Sequence, residues 1–370
     1  MKKVLFLIHD LGHGGAEKVL VNLVNNMDIT KFDISVISLF GGGVNEKFLN
    51  KNIKYKFVFK KAIPGNSHIM KLFSPKLLHR IFIKDKYDVE VAYLEGPATR
   101  IVGGCDNSAT KLVTWVHCTF KNQQEVASSF RSKREAKKIY DKFDIVACVS
   151  KKVKESILNC YHDIKESIVL YNTNETDKIL LLKDESISDI NFDSDGYKLC
   201  AVGKLEKVKG FDRLLRIYEK LLKDGFQSHL YILGEGSERA EIERTIREKN
   251  IETNVTLLGY RQNPYKYVSK CDLFICSSYS EGFSTAATEA LIIGTPVCTV
   301  EVSGMKEMLG ENNEYGVVVK NDEDALYQGI KELLCSKEKL AYYTEKAKER
   351  GKDFNTCNTV KAVENMLLTL

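Results

Sequence analysis

Short apolar runs rich in β-branched and aromatic residues alternate along the chain with stretches whose apolar positions recur every three or four residues. KVLFLI, DISVISLF, KYKFVF, DVEVAYL, TKLVTWV, DIVACVS and SIVLYN occupy the first half. They are apolar almost throughout rather than at every second position, which predicts strands buried on both faces. Between them, Val19, Leu20, Leu23 and Val24, or Val153, Ile157 and Leu158, fall at helical spacing. After a polar stretch from Asn172 to Gly196 the alternation restarts with YKLCAVG, HLYILG, NVTLLG, CDLFICSS, TPVCTVE and GVVVK. Strand alternating with helix predicts an α/β fold of parallel sheets clad in helices.

The restart divides the chain. Its 370 residues exceed one domain of about 100 to 200 residues, and the pattern predicts two βα-rich domains, 1–172 and 173–354, with the hinge within the polar stretch. The last segment, FNTCNTVKAVENMLLTL, reads as an amphipathic helix over 355–370 that can cap either half, the first included. Ligands of open parallel sheets sit beyond the carboxyl ends of the strands, and a cleft between two such domains is a usual binding place. The loops after the strands therefore carry the candidate chemistry.

The first such loop is HDLGHGGAEKVLVNL. Gly12, Gly14 and Gly15 let a ligand approach the backbone where free amides open a helix, an arrangement that favours an anion. A tight strand-to-helix turn explains the same glycines. The dinucleotide fingerprint G-x-G-x-x-G fails here, since Glu17 stands at its last position counted from Gly12. AVGKLEKVKGFDRLL, after the first strand of the second half, places Lys204 and Lys209 on a loop where two cations can close on a diphosphate, unless they are merely solvated. LGEGSERAEIE repeats a Gly-x-Gly turn, again without a third glycine. In YSEGFSTAATEALIIGTPV, Glu281 lies in a loop and Glu289 about two turns into the following helix. The small residues Ser284 to Thr288 leave the helix start open to a phosphate. A carboxylate's two oxygens match two neighbouring hydroxyls, so Glu289 suits a ribose and Glu281 a sugar. A glutamate near a helix start is also common for electrostatic reasons alone.

Composition narrows the field. The chain is 44% hydrophobic and 28% charged with five prolines, an ordinary globular balance. Only Val4 to Ile8 are continuously apolar near the start, too few for a signal peptide, and no run approaches the roughly 18 residues of a spanning helix. The expectation is a cytoplasmic protein. The ten cysteines sit mostly in apolar segments with no C-x-x-C pair, which predicts reduced, buried thiols and gives zinc nothing to build on. The net charge of +5 conceals +11 over residues 1–172 and −6 over 173–370, so the first half is expected to meet an anionic partner or surface. Nucleic acid is not that partner, because no recognition motif accompanies the charge.

With these residues assembled, the chain resembles the retaining nucleotide-sugar glycosyltransferases of the GT-B fold, in particular the family (family four, glycosyl transferases group 1) that carries an E-x7-E motif. Glu281 through Glu289 has that spacing. GGAEKV, WVHC, CVSKKVKESI, VLYN, VGKLEKVKGFDRLL, LGEGSERAEIE, LLGYRQNPYKYVSKCDLFICSS and SGMKEML follow in the family's order, so the likeness spans nearly the whole chain. It implies two Rossmann-like domains facing a central cleft, acceptor in the first and donor in the second. It also implies that Lys204 and Lys209 hold the donor diphosphate, although the family more often has arginine at the first position, which grips bidentately where lysine does not. Glu289 would hold the ribose, and Glu281 with the Gly282, Phe283 and Ser284 backbone would meet the transferred sugar and its phosphate. His117 matches an active-site histidine near that sugar. Gly14 and Gly15 would face the diphosphate from the first domain, with Glu17 bracing their loop. The catalytic set is then His117, Glu281 and Lys209, with no metal and no cofactor beyond the nucleotide-sugar co-substrate, expected to be UDP-linked.

The acceptor side is expected in the first domain. MKLFSPKLLHRIFIKDKY interleaves Leu72, Phe73, Leu77, Leu78, Ile81 and Phe82 with Lys71, Lys76, Arg80, Lys84 and Lys86. KNQQEVASSFRSKREAKKIYDKF adds seven basic residues against three acidic. Such a surface suits anionic headgroups or a polyprenyl-diphosphate-linked glycan; an ordinary helix with lysines in water has the same pattern. The expected function is sugar transfer to a surface glycan of capsule, O-antigen or teichoic type, by a hexosyltransferase peripheral to the inner face of the plasma membrane. The alternatives are a GT-B sugar-nucleotide epimerase, which needs no acceptor, and a non-catalytic GT-B partner protein.

Overall fold

The computed structural model describes residues 1–61, 69–190, 192 and 196–370. The chain forms two compact units, Met1–Asn174 with Thr356–Leu370, and Glu175–Asn355. The division falls near the start of the polar stretch expected to hold the hinge. Most of that stretch belongs to the second unit, where helix Thr176–Leu182 buries Ile179; residues 191 and 193–195 lie outside the described residues.

The first unit is built on seven strands, β1 (Lys2–Ile8), β2 (Phe32–Phe40), β3 (Lys54–Phe59), β4 (Val89–Ala92), β5 (Lys111–Val116), β6 (Ile145–Cys148) and β7 (Ser167–Val169). Their order is β3-β2-β1-β4-β5-β6-β7, and every pairing is parallel. Val4 through Ile8 of β1 are wholly buried, as are Val89 and Val91 of β4. Each such side chain contributes about 1.5–3 kcal/mol on leaving water, which is why the central strands read as unbroken apolar runs. The last helix, Thr356–Thr369, packs on this unit: Lys2 Nζ donates to the Leu367 carbonyl at 2.8 Å, and the Asp28 amide to Glu364 Oε1 at 2.6 Å.

The second unit has six parallel strands, β8 (Tyr197–Val202), β9 (Ser228–Leu233), β10 (Val255–Gly259), β11 (Leu273–Cys276), β12 (Val297–Val300) and β13 (Val317–Val319), in the order β10-β9-β8-β11-β12-β13. All thirteen expected strands form. The run CDLFICSS stops pairing at Cys276, because the carbonyls of Ser277 and Ser278 leave the ladder for the guanidinium of Arg213. All ten cysteines carry free thiols, seven of them buried. Among the described residues no helix is long and apolar enough to cross a membrane.

In both sheets the strand order reverses once, between β1 and β4 and between β8 and β11. Loops on either side of such a reversal diverge and leave a crevice at the carboxyl edge. The loops that follow β1, β4, β8 and β11 carry Gly14 and Gly15, Glu95, Lys204 and Lys209, and Glu281.

Candidate active site

In the second unit the loops after β8 and β11 meet through an ion pair. Lys209 Nζ donates to Glu281 Oε1 at 2.7 Å and Oε2 at 2.9 Å, and Ser278 Oγ donates to the same Oε1 at 2.6 Å. Burial works against the charge on Lys209, but the facing Glu281 carboxylate outweighs it and raises the lysine above its ordinary pKa. The ammonium is therefore fixed as a cation, with one of its three donors uncommitted to Glu281. Lys204 is not drawn into this pair. Its Nζ lies 2.5 Å from Glu206 Oε1, and both side chains are half exposed, so the two lysines expected to share one diphosphate are held by different carboxylates.

Tight backbone packing brings these loops together. Gly210, at φ +65°, opens helix Phe211–Lys223, and a Cβ there would stand 2.1 Å from the Ser277 carbonyl oxygen. Only glycine satisfies both conditions. The next turn of that helix clamps the β11 loop. Arg213, almost fully buried, donates from Nε to Ser277 O and from Nη2 to Ser278 O, each at 2.6 Å, and from Nη1 to Asn321 Oδ1 at 2.8 Å. Its guanidinium lies under the Tyr279 ring, 4.4 Å from the centroid, while Tyr279 OH donates to Asp212 Oδ2 at 3.0 Å. The backbone leading into Glu281 is thus held from one side by consecutive residues of a single helix.

Helix Thr285–Ile293 follows, with Ser284 as its N-cap. The Ser284 hydroxyl accepts from the Ala287 amide at 3.3 Å, so the helix start is less open than the small residues suggested. Among the described residues the Thr285 and Ala286 amides have no acceptor. Phe283 is buried, its ring edge-on to Phe354 at 6.0 Å, and Gly282 and Phe283 pack against Gly304. The loop therefore offers backbone rather than the Phe283 side chain. Glu289 is buried one turn further on and accepts from Tyr265 OH at 3.2 Å.

In the first unit Gly14 is the N-cap of helix Gly15–Asn26, with no side-chain cap. A Cβ at Gly14 would fall 2.0 Å from Glu17 Oε2, so the Glu17 carboxylate folds back over this loop. Asp10 braces the loop from its other end, accepting from the Gly12 amide at 2.7 Å. His117 follows β5; its amide donates to Glu95 Oε2 at 2.8 Å, and its ring sits 5.0 Å from that of Tyr93. Ring Nε2 is buried without a partner among the described residues. Burial lowers the imidazole pKa despite the opposing pull of Glu95 and the Tyr93 carbonyl, which keeps the ring neutral near pH 7.

Three groups escaped the sequence reading. Arg213 and Ser278 lie inside recognised motifs but look like a surface cation and a loop hydroxyl until the backbone folds over them. Glu95 has no positional signal beyond following a strand. His79, Glu90 and Cys105 form a buried cluster whose ligand-type atoms lie within 4.8 Å of one another, with His79 Nε2 2.8 Å from Glu90 Oε2. Metal-ligand spacing cannot reveal it, because its members come from a helix, a strand and a loop.

The sequence of residues 183–350 matches the family described as glycosyl transferases group 1. Over the full length of both chains, the protein is 30% identical to the N-acetylgalactosamine-N,N'-diacetylbacillosaminyl-diphospho-undecaprenol 4-alpha-N-acetylgalactosaminyltransferase of Campylobacter jejuni. It is 28% identical over 149 residues to the poly(ribitol-phosphate) alpha-N-acetylglucosaminyltransferase of Staphylococcus aureus, covering 40% of this chain and 30% of that one. Among solved structures, Anabaena HepE in complex with UDP and glucose superposes with a TM-score of 0.80 at 19% identity, covering the whole of both chains. A point mutant of TarM from S. aureus, bound to UDP among other ligands, gives 0.76 at 15% identity over 99% of this chain and all of that one. The structural likeness shows the GT-B fold, and with the full-length sequence likeness it establishes that the chain is a glycosyltransferase belonging to the glycosyl transferases group 1 family.

Proposed function

We propose that the protein transfers a sugar from a UDP-sugar, with retention of anomeric configuration, to a lipid-linked glycan in the synthesis of a surface polysaccharide. The observation that carries this reading is the Lys209–Glu281 pair at the carboxyl edge of β8 and β11, braced by Ser278 just past β11. Breaking the anomeric bond leaves negative charge on a diphosphate. Fixed cations and oriented amides aimed at such charge stabilise the transition state more than the ground state. In this reading Lys209, Lys204 and the amides of Thr285 and Ala286 receive the diphosphate without a metal ion, and Gly14 and Gly15 are further candidate donor contacts. Glu281 holds sugar hydroxyls and Glu289 the ribose. His117 offers its unpartnered Nε2 to the sugar as a neutral imidazole. The acceptor attacks on the face the diphosphate leaves.

The acceptor class is supported by the Campylobacter relative, whose name specifies an undecaprenol diphosphate substrate, and by the basic first half. A lipid-linked acceptor makes the protein a cytoplasmic enzyme that works at the inner face of the plasma membrane. The test is to incubate the purified protein with UDP-, ADP- and GDP-sugars, with and without a polyprenyl-diphosphate glycan and with and without EDTA, and to follow transfer and product configuration. Transfer from a UDP-sugar, unaffected by EDTA and giving an α-linked product from an α-linked donor, is expected. Sugar isomerisation without acceptor would point to the epimerase alternative, and no binding of any nucleotide sugar to a non-catalytic partner. Unchanged turnover in Glu281→Gln would refute the site.

A further inference from the structure

Four successive backbone carbonyls, Met70 to Phe73, are all taken by two arginines of the first unit. Arg100, 1% exposed, donates from Nη1 to Met70 O at 2.9 Å and from Nη2 to Phe73 O at 2.8 Å. Arg131 donates through Nε to Lys71 O and through Nη2 to Leu72 O at 2.6 Å. Glu135 joins the two, accepting from Arg100 Nε at 3.0 Å and Nη2 at 3.1 Å and from the Arg131 amide at 2.8 Å. Hydrogen bonds to charged groups are the stronger kind, and here all of them fix one turn.

What this turn displays is apolar. Leu72 is 76% exposed, Ile69 50% and Phe73 44%. Helix Pro75–Phe82, capped by Ser74, continues the face with exposed Leu77 and Ile81, while Leu78 and His79 are buried beneath. Lys71, Lys76, Arg80, Lys84 and Lys86 flank these side chains along the chain, against Asp85 and Asp106. Lys76 and Arg80 share Asp106 at 2.8 and 2.9 Å, and Lys84 and Lys86 make no ion pair among the described residues. Exposed apolar clusters of this kind mark a surface that something covers.

The chemistry of the patch selects its cover. The apolar tips are aliphatic or phenyl, with no tyrosine or tryptophan to hydrogen-bond a protein partner, and the rim is cationic. Apolar side chains entering an acyl boundary while lysines and arginines meet anionic headgroups is the pattern of an interfacial anchor. We propose that the turn 69–73 and the outer face of helix 75–82 dock on an anionic lipid bilayer, and that Arg100, Arg131 and Glu135 preorganise the turn for it. Holding the bound shape in advance removes the ordering cost of docking. The proposal rests on the lipid-linked acceptor reading for its role in transfer, but docking itself needs neither donor nor acceptor.

The experiment is sedimentation of the full chain with vesicles of phosphatidylcholine alone and with phosphatidylglycerol added, over a salt series. Binding to the anionic vesicles, weakening with salt, is expected. Leu72→Asp with Phe73→Asp should lower it by about tenfold or more, and Leu72→Asp alone serves if the pair does not fold. Arg131→Gln should weaken binding more than Lys133→Gln, which removes an equal charge without touching the turn. Binding of the nucleotide sugar, which needs no membrane or acceptor, should be unchanged in the double variant. A wild type that ignores anionic vesicles, or a double variant that binds as wild type, overturns the anchor, as does capture of an acidic protein without vesicle binding. Vesicle binding without sugar transfer overturns the proposed function and leaves the anchor standing.

Discussion

The loops at the two strand-order reversals have opposite internal economies. Around Glu281 the second unit pairs its charged side chain and the carbonyls before it: the carboxylate takes Lys209 and Ser278, and the Ser277 and Ser278 carbonyls take Arg213, while among the described residues the Thr285 and Ala286 amides stay open. Around His117 the first unit stops short, leaving ring Nε2 buried and without a partner among the described residues. Buried polar atoms are nearly always paired. In the proposed reading, the contrast sets a platform that keeps charges in place against a group whose partner would arrive with the ligand. Preorganisation of the first kind supports large catalytic effects, because nothing need rearrange when charge develops.

Lys209→Ala against His117→Ala tests that contrast most severely. In the proposed reading, removing the lysine withdraws the cation from the leaving diphosphate; it also strips Glu281, 9% exposed, of its counter-ion and leaves it the Ser278 hydroxyl. We expect kcat to fall by about 10²–10³, roughly 3–4 kcal/mol in the barrier. His117→Ala removes a group that already lacks a partner, so stability should hardly change while the KM for the donor rises by about tenfold. Steady-state kinetics beside thermal melts read both. A large loss of stability in His117→Ala, with the donor KM unchanged, would reverse the roles.

Next in size is Arg213→Met. The variant keeps apolar bulk under Tyr279 but orphans the Ser277 and Ser278 carbonyls, at a cost of about 3 kcal/mol in stability. Because those carbonyls lead directly into Glu281, the donor KM should rise while the acceptor KM stays put. A variant with the lower melting temperature but native donor KM would make Arg213 a structural residue and no more.

How much of this was legible beforehand follows from what each feature depends on. The thirteen strands come from local apolar runs, and the spacing from Glu281 to Glu289 is carried by one loop and one helix, so both are visible in the sequence. Pairings between distant loops are not. Lys209 and Glu281 are 72 residues apart, and nothing local says that the lysine faces this glutamate while Lys204 turns to Glu206. The openness of the helix start was overstated for a simpler reason: Ser284 was read for its small size, and its hydroxyl caps Ala287. His79, Glu90 and Cys105 come from helix 75–82, β4 and a loop, so spacing along the sequence does not reveal that they meet.

That cluster sharpens the contrast through a second buried histidine, one that is paired. Burial alone would lower the pKa of His79, but Cys105 and Glu90 at its ring more than offset this and push it up to about 9. Lys142 sits nearby, its Nζ donating to the Gly103 and Cys105 carbonyls. The unfolded-state value is about 6.5, so the folded state binds the proton more tightly. The resulting stability is fully present below about pH 6.5 and is lost as pH rises through 9. Between pH 6.5 and 8 the loss should amount to about 2 kcal/mol, at about 1.4 kcal/mol per pH unit. His117 acts weakly in the opposite sense: burial holds its pKa below the unfolded value, so its contribution rises slightly as pH climbs from 6.5 and is complete by the upper end of the window. Urea melts at a series of pH values on wild type and His79→Gln measure the difference. The wild-type midpoint should fall across the window, and that of His79→Gln should stay nearly flat. Two parallel curves would mean that the His79–Glu90 pair is neutral and that its histidine resembles His117 after all.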